Sequence, residues 1–151
     1  MHSTLRLLPA TASVLVGCAP GIDALVRAAC PAAQVLRAVD YGVGRGALAA
    51  RSIACVRAVA LAGGVWVSFP DVACPSGLRP AACASACFAG FGSGSWASLA
   101  LAIGLGVRAA VFLPADVSPP LSWPLVPVNH AAGWFVFTPA YSAIQNSLFT
   151  K

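Results

Sequence analysis

Ser13-Val14-Leu15-Val16-Gly17-Cys18-Ala19-Pro20-Gly21-Ile22-Asp23 decides how this chain is read. A short β-branched run, Ser13 to Gly17, meets a glycine elbow. Gly21 to Ala29 then reads as a helix with Asp23 in its first turn. Strand, glycine turn and helix N-terminus in that order leave backbone N–H groups free beside a positive dipole end, an arrangement that suits an anion. Glycine also serves simply to turn a chain tightly, so one elbow alone says little. A second elbow, Gly92-Ser93-Gly94-Ser95-Trp96, precedes another Ala-rich helical stretch and raises the weight of the first.

Outward from these elbows the chain alternates. Gln34 to Val39 reads as a strand and Asp40 to Gly46 as a loop. Ala47 to Ala60 reads as a helix, with Leu48, Ile53, Val56 and Val59 at near-helical spacing and Arg45, Arg51 and Arg57 on other faces. Gly64 to Phe69 alternates like a strand, Pro70 to Gly92 is a long loop, and a helix over Ser95 to Ile103 and a strand over Ala109 to Leu113 follow. Pro114 to His130 is proline-rich and irregular, and Gly133 to Phe137 reads as an edge strand. Strands alternating with helices predict an α/β fold with a right-handed parallel sheet. The turns after its strands gather at one edge, where ligands bind, and both elbows and the Gly42 to Arg45 loop belong there.

The 151 residues suit a single domain, 1–151, in which 115–151 form an irregular proline-rich C-terminal extension. Hydrophobic residues make up 59% and charged residues 9%, with a mean hydropathy of +0.83, so membrane insertion has to be weighed. The uncharged stretches Ala81 to Val107 and Val117 to Thr150 both exceed the roughly 20 residues that span a bilayer. The first is broken by Gly90, Gly92, Ser93, Gly94 and Ser95, the second by Pro119, Pro120, Pro124, Pro127, Asn129 and His130, and irregular backbone is not tolerated against lipid. Strands buried on both faces account better for the apolar excess, and no membrane partner is expected.

A second reading of the start treats residues 1–18 as a lipoprotein signal, with Arg6, an apolar stretch from Leu7 to Val16, and Leu15-Val16-Gly17-Cys18 as a lipobox. Pro9, Thr11 and Ser13 interrupt it, and the chain enters the helix at Gly21 with no polar tether. Six cysteines, at 18, 30, 55, 74, 83 and 87, include three in apolar patterned stretches, where a thiol behaves as a small hydrophobe. Cys74, Cys83 and Cys87 lie in the long loop without a paired knuckle or a nearby histidine, so no metal is expected. Without a convincing export signal the expected compartment is the reducing cytoplasm. Net charge is +5, carried by eight arginines and Lys151. That composition suits bidentate phosphate contacts and is also what a GC-rich genome encodes.

Three segments in this order, Val14 to Asp23, Ala50-Arg51-Ser52-Ile53, and Gly92 to Ala100 leading to Val111-Phe112-Leu113-Pro114, resemble the SLOG superfamily. That group unites the Smf/DprA-like DNA-processing proteins with the LONELY GUY phosphoribohydrolases. There the first segment corresponds to a G-G-A-x-G-I-D elbow, the second to an Arg-Asn pair and the third to a G-S-G-T or G-G-x-G-T phosphate loop. The resemblance covers about residues 13 to 114 and implies a Rossmann-like three-layer sandwich with a mostly parallel sheet of about five strands. It places Gly17, Cys18, Gly21, Gly92, Ser93, Gly94 and Ser95 around a nucleotide phosphate, with Arg51 at the family's arginine position and Arg45 in a neighbouring loop. Ser95 reads equally as a helix N-cap. Asp23 reads as structural, since a carboxylate facing the pocket would repel phosphate.

Departures from the pattern narrow the reading. The LONELY GUY catalytic glutamate falls at Ser98, and the chain has four acids, Asp23, Asp40, Asp71 and Asp116, and no glutamate. Serine cannot supply the carboxylate's proton transfer or charge. Family members open with a strand and helix bearing a G-S-R-like loop, for which only Met1 to Ala12 remain, so a shortened N-terminus is expected. An exposed sheet edge then favours a homodimer. The expectation is a non-catalytic module, without a cofactor, that binds a nucleotide or single-stranded nucleic acid. The alternatives are a phosphoribohydrolase-like enzyme using Asp40 or Asp71, and an exported lipoprotein or membrane protein. Trp66, Phe69, Phe91 and Trp96 are candidates for stacking on a base.

Overall fold

A computed structural model describes residues 11–140 and shows a mixed α/β chain. It divides into two compact units, Met1–Cys55 and Val56–Lys151. In the first, β1 (Leu15–Gly17) and β2 (Gln34–Leu36) pair in parallel, with Leu15 opposite Gln34 and Gly17 opposite Leu36. The crossover between them is α1 (Ile22–Ala29), entered through Gly21 at φ +78°, a backbone conformation that glycine adopts without strain. The strand expected through Val39 stops at Leu36. The Cys18 sulfur accepts the Ala38 N–H at 3.1 Å, the Asp40 N–H closes on the Arg37 carbonyl at 3.1 Å, and Ala38–Tyr41 turn as a 3-10 helix. These local bonds replace the ladder.

The boundary between the units falls inside α2 (Gly44–Leu61), which starts three residues before the expected Ala47. Its end is a Schellman turn: Gly63 takes φ +62°, its N–H reaches the Ala60 carbonyl at 3.2 Å, and the Gly64 N–H reaches the Val59 carbonyl at 2.9 Å.

The second unit is built on β3 (Val65–Ser68), α3 (Ala84–Cys87), α4 (Gly94–Gly104), β4 (Arg108–Phe112), β5 (Val126–Pro127) and β6 (Trp134–Phe137). Strand order is β3-β4-β6-β5, with β3 and β4 parallel and β6 antiparallel to both neighbours. The described strands thus form a two-stranded parallel sheet and a four-stranded mixed one, where one mostly parallel sheet was expected. The mixed order has a local cause. No helical crossover joins β4 to β6, and a proline-rich connection brings the chain back antiparallel. Gly133 to Phe137, expected at an edge, lies inside, because Val126 and Pro127 within the supposedly irregular stretch form β5 outside it. The long loop from Pro70 to Gly92 likewise holds α3.

Helix α4 is the axis of this unit's core. Every residue from Trp96 to Ile103 is buried, as expected of a helix that is apolar all round. Leu78, Val111, Leu113 and Trp123 are buried with it, and Trp123 meets Trp96 edge-on at 5.5 Å between ring centroids. A second Schellman turn ends the helix. Gly106 takes φ +72°, its N–H bonds Ile103 O at 2.9 Å, and the Val107 N–H bonds Ala102 O at 2.9 Å. Among the described residues no helix is long and apolar enough to cross a membrane.

Candidate functional site

The first elbow is held from two sides. On one, Arg27 in the last turn of α1 donates to the Gly17 carbonyl at 2.6 Å and to the Ala19 carbonyl at 3.2 Å. On the other, Asp23 accepts the Ala19 N–H at 3.2 Å and pairs with Arg51 Nη1 at 2.9 Å. Arg51, set off the apolar face by its spacing, is on the buried face of α2 with Ala47 and Cys55. Only 8% of it is exposed, and Arg45 and Arg57 are the exposed ones. The pairing with Asp23 is what brings it inward.

Gly17 is buried under this pair. A Cβ on it would collide with the Arg51 guanidinium and the Asp23 carboxylate, so the glycine here makes room for an internal salt bridge. Asp23 therefore takes the elbow's Ala19 N–H and supplies a negative charge there itself. Cys55 lies in the same surroundings. Burial raises its thiol from 9.0 to about 11, against the lowering effect of Arg51. Arg45 lies apart in the first turn of α2, exposed, beyond Gly42 and Gly44.

A cleft of about 330 Å³ opens where β1 and β2 end, lined by Cys18, Arg27, Val35, Arg37, Ala38 and Val39. Cys18, expected at the site, is half-buried on its wall. Arg27 and Arg37 were not singled out from the sequence. Arg37 carried a usable signal, since it is the first residue after β2 and so stands at the carboxyl edge of a parallel pair. Arg27 gave none, because one cation in the last turn of a helix ordinarily only offsets the dipole there.

The second elbow is built differently. Ser93 is the N-cap of α4, its hydroxyl accepting the Trp96 N–H at 3.4 Å, so this serine and not Ser95 has the capping role. Gly92 takes φ +86°, and Gly92, Gly94 and Ser95 are exposed. A Cβ on Gly94 would meet nothing within 4 Å. The loop is nevertheless fixed. Ser68, buried at the carboxyl end of β3, donates to the Ser95 carbonyl at 3.3 Å, and the Trp96 indole N–H donates to Val72 O at 2.8 Å. Although over twenty residues separate them in sequence, the elbow is thus tied to the end of a parallel strand. Ser98, where the resemblance put a glutamate, is buried and donates to Gly94 O at 2.7 Å, closing the first turn of the helix.

Of the aromatic candidates, Trp96 is fully buried. Phe69 is half-buried and stands with Phe112 and Trp134, ring centroids 5.5 to 6.4 Å apart, at the carboxyl ends of β3 and β4. Phe91 lies across from Gly77. The three loop cysteines hold separate partners: Cys87 the Ala81 carbonyl, Cys74 the Pro75 carbonyl and Cys83 the Ser85 hydroxyl. The Ser85 hydroxyl and the N–H groups of Ala86 and Ser85 lower the Cys83 thiol below its usual range, while burial raises Cys74 and Cys87. No protein-family model matches the chain, and comparisons with curated proteins and with solved structures return no match.

Proposed function

We propose that the chain is a nucleotide-binding or single-stranded nucleic-acid-binding module of the SLOG type, Rossmann-like and non-catalytic, which takes a phosphate at the Gly92 to Ser95 elbow. One observation carries the reading: an exposed glycine-serine turn stands at the head of a buried helix and is pinned by Ser68 to the end of a parallel strand. Such a turn presents N–H groups and the helix dipole to an anion, and the helix behind it is buried from Trp96 to Ile103. The order of the three family-like segments supports the same assignment. The half-buried ring of Phe69 at that strand end offers a face for a base.

The hydrolase alternative rests on Asp40 or Asp71, both of them exposed, and the hydroxyl of Ser98 is consumed by a backbone carbonyl. Calorimetric titration of the full chain with nucleoside mono- and diphosphates and with short single-stranded oligonucleotides tests the proposal. Binding should weaken steeply as salt rises for the oligonucleotide. Absence of binding in every titration, or release of free base from a nucleotide, refutes it.

A further inference from the structure

The cleft at the ends of β1 and β2 has a chemistry of its own. Arg27 and Arg37 both line it, and the ion pair formed by Arg51 and Asp23 is the only one among the described residues, so neither has a carboxylate partner there. Arg27 is held in place by the Gly17 and Ala19 carbonyls, which accept its hydrogen bonds and leave its charge uncompensated. The rest of the lining is apolar: Val35, Ala38, the largely exposed Val39 and the Cys18 thiol, whose sulfur is fixed by the Ala38 N–H. A volume near 330 Å³ is at the small end of the range for small-molecule sites, roughly 300 to 1,000 Å³.

We propose that this cleft binds a small amphipathic oxyanion, its charged head between Arg27 and Arg37 and its apolar body against Val35 and Val39. The charge selects the head, since two cations without a carboxylate partner favour an oxyanion with several acceptor oxygens. The wall selects the body, because a bare inorganic ion leaves the exposed valines uncovered, and their burial adds affinity in proportion to the apolar area removed from water. The inference goes beyond the phosphate reading and uses a separate set of residues.

Its test uses the full chain and phenyl phosphate, with Cys18 as the reporter. Saturating phenyl phosphate should slow iodoacetamide alkylation of Cys18 at least fivefold. Inorganic phosphate should bind at least tenfold more weakly. Arg37→Ala, an exposed side chain whose loss leaves the fold intact, should weaken phenyl phosphate at least tenfold. Benzoate tells the two head groups apart: protection by benzoate as well assigns any oxyanion, and protection by the ester alone assigns phosphate. An unchanged Cys18 alkylation rate, equal binding of inorganic phosphate, or an Arg37→Ala variant with wild-type affinity overturns the proposal. Gly94→Asp keeps the two readings apart. Nucleotide binding lost in that variant with Cys18 protection retained supports both; Cys18 protection in a chain that binds no nucleotide supports this inference alone.

Discussion

Replacing Gly17 by alanine adds one methyl group where the chain has placed the Arg51 guanidinium. The ideal Cβ position coincides with Arg51 Nη1 and crowds Asp23 Oδ2, and the backbone there belongs to β1, held in its ladder. The side chains must therefore move, and with them goes the 2.9 Å ion pair. Arg51 is only 8% exposed, and its Nε is buried without a partner, so it is left as a charge without compensation. Breaking a buried pair costs about 3–5 kcal/mol, and the partial exposure of Asp23 points to the low end, about 3 kcal/mol. In thermal unfolding that is a fall of roughly 6–12 °C for a chain of this size. Urea unfolding of Gly17→Ala, Arg51→Leu and the double variant separates the cause. With the guanidinium gone only the Asp23 carboxylate, no longer held by Arg51, has to yield to the methyl group, so the double variant should cost at least about 1 kcal/mol less than the sum of the singles. A Gly17→Ala variant within about 0.5 kcal/mol of wild type, or strict additivity, would refute the account of the first elbow.

Other consequences follow from the same geometry. The raised Cys55 thiol keeps its proton in the folded chain while the unfolded chain loses it above pH 9.0, so stability should fall between pH 9.0 and about 11, and Cys55→Ala should flatten that stretch of a urea-midpoint profile. Timed alkylation read by peptide mass should modify Cys83 first, being exposed and of lowered pKa, and the buried Cys55 and Cys87 last. Gly104→Ala drives its Cβ into the Ala81 backbone and should cost about 2 kcal/mol in urea unfolding. Ser98→Glu places a carboxylate within a buried, mostly apolar helix and should lower the melting temperature without creating base-releasing activity.

Both elbows and the helices behind them were legible in the sequence because glycine, a cap residue and an apolar run are local signals. Helix α4 was found within a residue at each end for that reason. The antiparallel return of β6 was not legible, since Val126-Pro127 is too short to show any alternation and pairing is decided by the sheet it meets. Arg51 was misplaced by periodicity alone. Its burial depends on Asp23, 28 residues away, which no local pattern records. The same pairing turned an expected phosphate cradle at Gly17 into a satisfied internal cluster, while the cleft arginines next to it arise from two elements meeting in space.

Gly94→Asp is the most direct test of the phosphate site. The position is exposed, has empty space around its Cβ, and lies at the start of a helix where an acid is favourable, so the fold should be undisturbed or slightly stabilised. The added charge, however, faces the site proposed for phosphate. The account predicts that wild type binds a nucleotide or a short single-stranded oligonucleotide in a calorimetric titration and that Gly94→Asp, with an unchanged circular dichroism spectrum, loses at least tenfold in affinity. Equal affinity in the two proteins would contradict it.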